Sequence, residues 1–192
     1  MVTIVTTTEA PLPGTYRVAD ESPVRFADAM DAWMPLAYEE LIATARRYHA
    51  VVTYLELSEH VQARSGIRTR ALLTNWIGKL LEGVAVRATA NGEPPLTALC
   101  VRQDGTIGPG YARAPKSVVG EPGNDIEQYA AEHRLLCYQK FAGDLPPDGG
   151  MPALTRAEAE RRARLRAKEP ARRPACSSCF TTLPSTGVCD YC

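Results

Sequence analysis

Four cysteines within seventeen residues constrain this chain more than anything else in it: Cys176-x-x-Cys179, nine residues, then Cys189-x-x-Cys192. A Cys-x-x-Cys pair turns two thiolates toward one ion. Two such pairs complete the four sulfur ligands of a closed tetrahedral site with no position left for a substrate. So short a segment cannot bury an apolar core, so the ligand–metal bonds must supply its folding free energy. One structural Zn²⁺ is the ion this donor set predicts, held by Cys176, Cys179, Cys189 and Cys192, with Cys100 and Cys137 left free. Two redox dithiols or two disulfides are the rival readings. A reducing cytoplasm, expected from the features below, weighs against both.

Pro184 and Gly187 stand between the pairs, where a short hairpin would turn. The pattern resembles the zinc ribbons of small nucleic-acid-associated and regulatory proteins, with a shorter gap between the pairs. The resemblance implies contact with a protein partner or with nucleic acid.

A hydrophobic content of 45% with 23% charged residues is that of a globular chain, and 192 residues accommodate one ordinary domain beside the metal module. The N-terminal residues Met1–Glu9 have no basic start and no long apolar stretch, so neither secretion nor membrane insertion is expected and the chain reads as cytoplasmic. Arg outnumbers Lys by 18 to 4, which with many Ala and Pro residues points to a GC-rich bacterial or phage genome. The net charge of zero conceals an uneven distribution: residues 155–174 carry +5, residues 175–192 carry −1 and residues 1–154 carry −4. A basic segment joining two non-basic parts is one footprint of polyanion binding, but the whole chain is not basic enough to coat DNA nonspecifically.

Along the chain, residues 1–21 suggest a short strand and an irregular arm, and Ser22-Pro23 opens a helix with Phe26, Met30 and Met34 on one side. Pro35 is expected to break it before a second helix at 36–49. Then come a strand at 51–54, a helix at 55–62, a turn at Ser65-Gly66 and a long helix over 69–88. Residues 95–102, the turn signal Gln103-Asp104-Gly105 and an extended piece to Tyr111 read as a β-hairpin. A loop at 114–123 reads as a flap, Asn124 caps a helix reaching about Ala142, and Thr155-x-x-Glu158 caps a last helix that stops before Pro170.

A helix-turn-helix followed by a hairpin is a winged helix. Residues 36–113 resemble the winged-helix half of the DNA alkyltransferases and alkyltransferase-like proteins: Thr53-Tyr54-x-x-Leu57 leads into the helices and Asp104-Gly105 turns the wing. The Pro-Cys-His-Arg motif of those enzymes is replaced here by Leu99-Cys100-Val101-Arg102, without the Pro and the His, so alkyl transfer is not carried over. The fold expected is α+β: an N-terminal arm and short helix (1–35), a mostly helical winged helix-turn-helix domain (36–145), a linker with an Arg-rich helix (146–174) and a small four-cysteine zinc ribbon (175–192).

On the long helix, Leu73, Trp76, Ile77, Leu80 and Val84 share one face, while Arg68, Asn75 and Lys79 fall near a common line on the other. Arg and Lys neutralise phosphates or bond guanine, and Asn pairs both edges of adenine, so this line suits a major groove. Arg64 and Arg70 at the turn and Arg102 on the wing extend the surface, and duplex DNA is the partner it predicts. Arg161, Arg162, Arg164 and Arg166 are candidate phosphate contacts, although Glu158–Arg162 and Glu160–Arg164 are also the pairs of an ordinary solvated helix.

His49, His60 and His133 are scattered, and no phosphate loop, dinucleotide fingerprint or nucleophile elbow occurs, so no catalytic residue is assigned. The resulting expectation is a non-enzymatic, zinc-containing DNA-binding regulator. Its alternatives are a phage- or defence-associated protein-interaction adaptor and an alkyltransferase-like DNA-modifying protein using Cys100.

Overall fold

The computed structural model describes residues 14–111, 123–168, 175–184, 187–189, 191 and 192. It is an α+β chain, mainly helical with two small sheets, and it divides into two compact units between Glu158 and Ala159. Most of the 114–123 flap lies outside the described residues.

Helix α1 (Phe26–Ala45) runs unbroken through Pro35, contrary to the expected break. Ala29, Trp33, Ala37, Leu41 and Ala45, each four residues from the next, are all fully buried. Proline inside a helix costs roughly 3 kcal/mol. Burying the Trp33 and Leu41 side chains alone returns about that much or more, at roughly 1.5–3 kcal/mol for a large apolar side chain, so the stripe outweighs the proline. The inward face is therefore this ladder, one position away from the expected Phe26, Met30 and Met34, which are only partly covered or exposed. Trp33 is its centre: its ring lies 4.9 Å from that of Trp76 and its indole N–H donates to Ser65 Oγ at 3.0 Å.

Strand β1 (Thr15–Arg17) lies in the stretch expected to be irregular, and β2 (Val52–Thr53) leads directly into α2 (Tyr54–Ser65). Thr53 and Glu56 form a reciprocal cap on α2: the Thr53 hydroxyl accepts from the Glu56 amide at 3.2 Å, and the Glu56 carboxylate accepts from the Thr53 amide at 2.7 Å. Gly66, at φ +68°, ends the helix in the left-handed conformation.

Residues 67–90 differ from the single long helix expected. Strand β3 (Ile67–Thr69) pairs antiparallel with β1, with Thr15 opposite Thr69 and their hydroxyls 2.9 Å apart. A 3₁₀ turn at Leu73–Asn75 follows, and only then α3 (Ile77–Ala90). The arm at 14–17 claims the backbone of 67–70 for a ladder, so the helix cannot start at Thr69. The apolar face is otherwise as anticipated: Trp76, Ile77, Leu80 and Val84 are buried and Leu73 is partly so.

The hairpin expected at 95–111 is also absent. Strand β4 (Cys100–Val101) pairs parallel with β2, and Leu96–Leu99 curl into a 3₁₀ turn. Every residue from Leu96 to Val101 is buried, whereas a wing strand would leave alternate side chains in water. The Asp104-Gly105 turn does form: Asp104 Oδ1 accepts from the Thr106 amide and hydroxyl at 3.0 and 2.6 Å. Gly105 has φ +78°, and a Cβ there would stand 2.8 Å from that of Ala157. The glycine thus allows the start of α5 (Arg156–Lys168) to approach, where Thr155 donates to the Gly105 carbonyl at 2.7 Å.

Helix α4 (Ile126–Phe141) is capped by Asp125, one residue beyond the expected Asn124. It closes the core more completely than a one-sided helix would, since Glu127, His133 and Arg134 are buried with Ala130, Cys137 and Tyr138. Glu127 accepts from the Ile107 amide at 2.8 Å, and Tyr138 donates to the Ala50 carbonyl at 2.7 Å. No helix among the described residues is long and apolar enough to cross a membrane.

Candidate functional site

The C-terminal unit, Ala159–Cys192, brings its four cysteines together. Their sulfurs all lie within 4.8 Å of one another. Four of the separations are 3.3 Å (Cys176–Cys192), 3.4 Å (Cys179–Cys189), 3.4 Å (Cys189–Cys192) and 3.7 Å (Cys179–Cys192). A tetrahedron of metal–sulfur bonds near 2.3 Å has edges of about 3.8 Å, whereas a disulfide is about 2.05 Å long. All six cysteines are free thiols, and the C-terminal four sit at the spacing a single metal ion requires.

Local chain geometry explains the convergence. The Ala175–Thr182 bridge and the Cys176 amide, donating to the Thr181 carbonyl at 2.9 Å, hold the first pair on a tight loop. The Gly187 amide donates to the Pro184 carbonyl at 3.0 Å, which places a turn between the pairs as anticipated. In each pair the amide two residues after the first cysteine points at its sulfur: Ser178 N to Cys176 Sγ and Tyr191 N to Cys189 Sγ, both 3.4 Å.

Amide donors favour the thiolate over the thiol. The backbone N–H groups of Cys179 and Ser178 bring the Cys176 thiol down to about 6, and the Thr181 hydroxyl lowers that of Cys179. Hydrogen bonds to Cys176, Cys189 and Cys179 push Cys192 up to about 11.

The candidate DNA contacts lie on successive elements rather than on one helical line. Arg64 is in the last turn of α2, Arg68 in β3, Arg70 just beyond it, Asn75 in the 3₁₀ turn, Lys79 in the first turn of α3 and Arg102 at the turn after β4. The common line expected for Arg68, Asn75 and Lys79 is lost because the long helix is divided. All six are exposed, and none of the five cations has an ion-pair partner among the described residues.

On α5, Arg156, Arg161, Arg164 and Arg166 are exposed and Arg162 is half-buried. Arg164 meets Glu160 at 3.7 Å, the expected solvated pair. Glu158 is instead fully buried and is no part of a solvated face.

Cys100 is buried, and burial together with the charge of Glu56 pushes its thiol well above the usual range; burial brings Cys137 up to about 12. Glu56 caps α2 and His60 lies 3.3 Å from Glu40, so neither faces a nucleophile. Tyr54 and Cys100 do line a cavity of about 260 Å³ with Glu82, Thr97 and Tyr111. The Thr97 hydroxyl is buried without a hydrogen-bond partner among the described residues, and Tyr111 bonds His133 Nδ1 at 2.7 Å. Nothing in the spacing of Glu82, Thr97 and Tyr111 announces this cavity, because they come from three non-adjacent stretches.

Phe180 and Tyr191 carry no sequence signal of a role beyond their places next to ligands; Phe180 has φ +56°, a conformation that favours glycine. No protein-family model, no curated protein and no solved structure matches this chain.

Proposed function

We propose that this is a non-enzymatic regulatory protein that binds duplex DNA through its larger unit and one structural zinc through its C-terminal cysteines. Zinc suits the donor set: four thiolates at tetrahedral spacing leave no open position, so the ion stabilises fold rather than performing chemistry. The observation that carries DNA binding is the exposed series Arg64, Arg68, Arg70, Lys79 and Arg102, five cations without ion-pair partners among the described residues, with Asn75 close to Lys79 in sequence. In this reading α2 and α3 act as a helix-turn-helix without the wing hairpin, with the β1–β3 ladder and the 102–106 turn flanking them, and the cysteine module contacts a protein partner or further nucleic acid.

Duplex binding measured by fluorescence anisotropy across a salt series tests it. Each phosphate contact contributes about 0.9 to the slope of log K against log salt, so Arg68→Ala with Lys79→Ala reduces the slope by about 1.8. An unchanged slope and affinity contradicts the assignment. A stoichiometric protein partner in a pull-down, with no duplex binding at low salt, favours an adaptor, which the −4 charge of residues 1–154 also suits.

The cavity favours a second reading, an alkyltransferase-like protein with Cys100 facing a modified base. The raised Cys100 thiol suits binding of such a base better than transfer from it. Preferential binding of a duplex carrying an alkylated base over the unmodified duplex favours this reading, and mass spectrometry of the intact protein separates transfer, which adds the alkyl mass, from binding alone.

A further inference from the structure

We infer that the C-terminal unit binds unpaired nucleic acid, stacking bases on Phe180 and Tyr191 and holding the backbone with the Arg-rich segment that precedes them. Phe180 and Tyr191 are the only aromatic residues beyond Phe141, and neither is used in a core: they are 81% and 80% exposed. Phe180 follows the ligand Cys179 and Tyr191 precedes the ligand Cys192, so the cysteine cluster fixes the backbone under both rings. Phe180 keeps its bulky ring at φ +56°, where glycine would sit without strain. So exposed a ring adds little burial to the local fold, whereas an exposed ring on a clamped backbone is what a stacking platform needs.

Charge complementarity selects the occupant. Residues 155–174 carry +5, and Arg161, Arg164, Arg166 and Lys168 are exposed on α5. Exposed aromatics beside a basic segment suit single strands, whose bases offer free π-faces while their phosphates take the arginines. A duplex hides those faces. An anionic membrane is a poorer fit, because the apolar residues of α5 are alanines and one leucine, too small an apolar face for insertion.

This inference rests on the metal-clamped module proposed above and is independent of duplex binding by Arg68 and Lys79. The test uses the full zinc-loaded chain and fluorescence polarisation of a short labelled oligothymidylate, with a duplex of equal length and phosphatidylserine vesicles in parallel. Phe180→Gly with Tyr191→Ala weakens oligothymidylate binding by roughly tenfold or more, with zinc stoichiometry and duplex affinity unchanged. Arg68→Ala with Lys79→Ala leaves oligothymidylate affinity unchanged. A zinc-replete double variant that binds oligothymidylate as the parent does, or a parent that binds only duplex or vesicles, overturns the inference. A chain that binds no metal overturns the metal reading and this one together, whereas a metal-loaded chain indifferent to oligothymidylate overturns this one alone.

Discussion

Replacing Phe180 with glycine should tighten metal binding, a direction opposite to that of most substitutions beside a metal site. Phe180 has φ +56°, a left-handed conformation that costs a non-glycine residue roughly 1–2 kcal/mol. Its ring is 81% exposed, so little burial is lost with it. Glycine gives back roughly 0.5–1 kcal/mol through the larger entropy of the unfolded chain. The net gain is about 1 kcal/mol. Because so small a module folds only with its metal, the gain is read in the metal affinity, and about 1 kcal/mol corresponds to roughly fivefold in Kd. Competition against a chromophoric chelator at fixed pH measures it. A Kd that rises in Phe180→Gly contradicts this, since it means that the ring packs on the module or that the backbone there is unstrained.

Thiol accessibility should fall into three classes: almost no fast-reacting thiol with metal bound, four after chelation, and all six only in denaturant, because Cys100 and Cys137 are buried in the larger unit. Trp33→Ala removes a fully buried ring and its hydrogen bond to Ser65. It should cost about 3–5 kcal/mol in chemical denaturation of the larger unit, while metal stoichiometry stays unchanged. Acid should release the metal. The ligands hold the ion as thiolates, and the amide donors at Cys176 favour that form, so retention holds at neutral pH and is lost as protons compete at lower pH. Metal retention followed by pH titration with a zinc indicator checks the direction, and release on raising pH from 6 to 9 would contradict it.

What could be read ahead of the fold was local. The cysteine cluster was legible because its ligands sit in two four-residue motifs whose spacing is itself the chemistry. The turn at Asp104-Gly105 and the buried face of α3 were legible for the same reason, since short-range pattern decides both. The failures were long-range. The strand at Ile67–Thr69 exists because the arm at Thr15–Arg17, some fifty residues away, pairs with it, and no periodicity within 67–90 records that partner.

The parallel pairing of Val52–Thr53 with Cys100–Val101 is likewise non-local, and it converts an apparent wing strand into buried core. Pro35 signals a break through its intrinsic cost alone, and the ladder from Ala29 to Ala45 shows why that cost is overridden. The helix expected at 55–62 is observed as Tyr54–Ser65, starting one residue earlier behind the Thr53–Glu56 cap and running three residues further, up to Gly66. As for the sites, losing the single long helix removes the geometric line through Arg68, Asn75 and Lys79 but leaves all three exposed.

Everything proposed for the C-terminal unit depends on four thiolates closing around one zinc. X-ray absorption at the zinc edge, with elemental analysis on the same sample, tests it most directly. The prediction is one zinc per chain with four sulfur neighbours at about 2.3 Å and no nitrogen or oxygen ligand, lost in Cys189→Ser. A metal-free chain with two disulfides after purification under reducing conditions, or a zinc with fewer than four sulfurs, would contradict it.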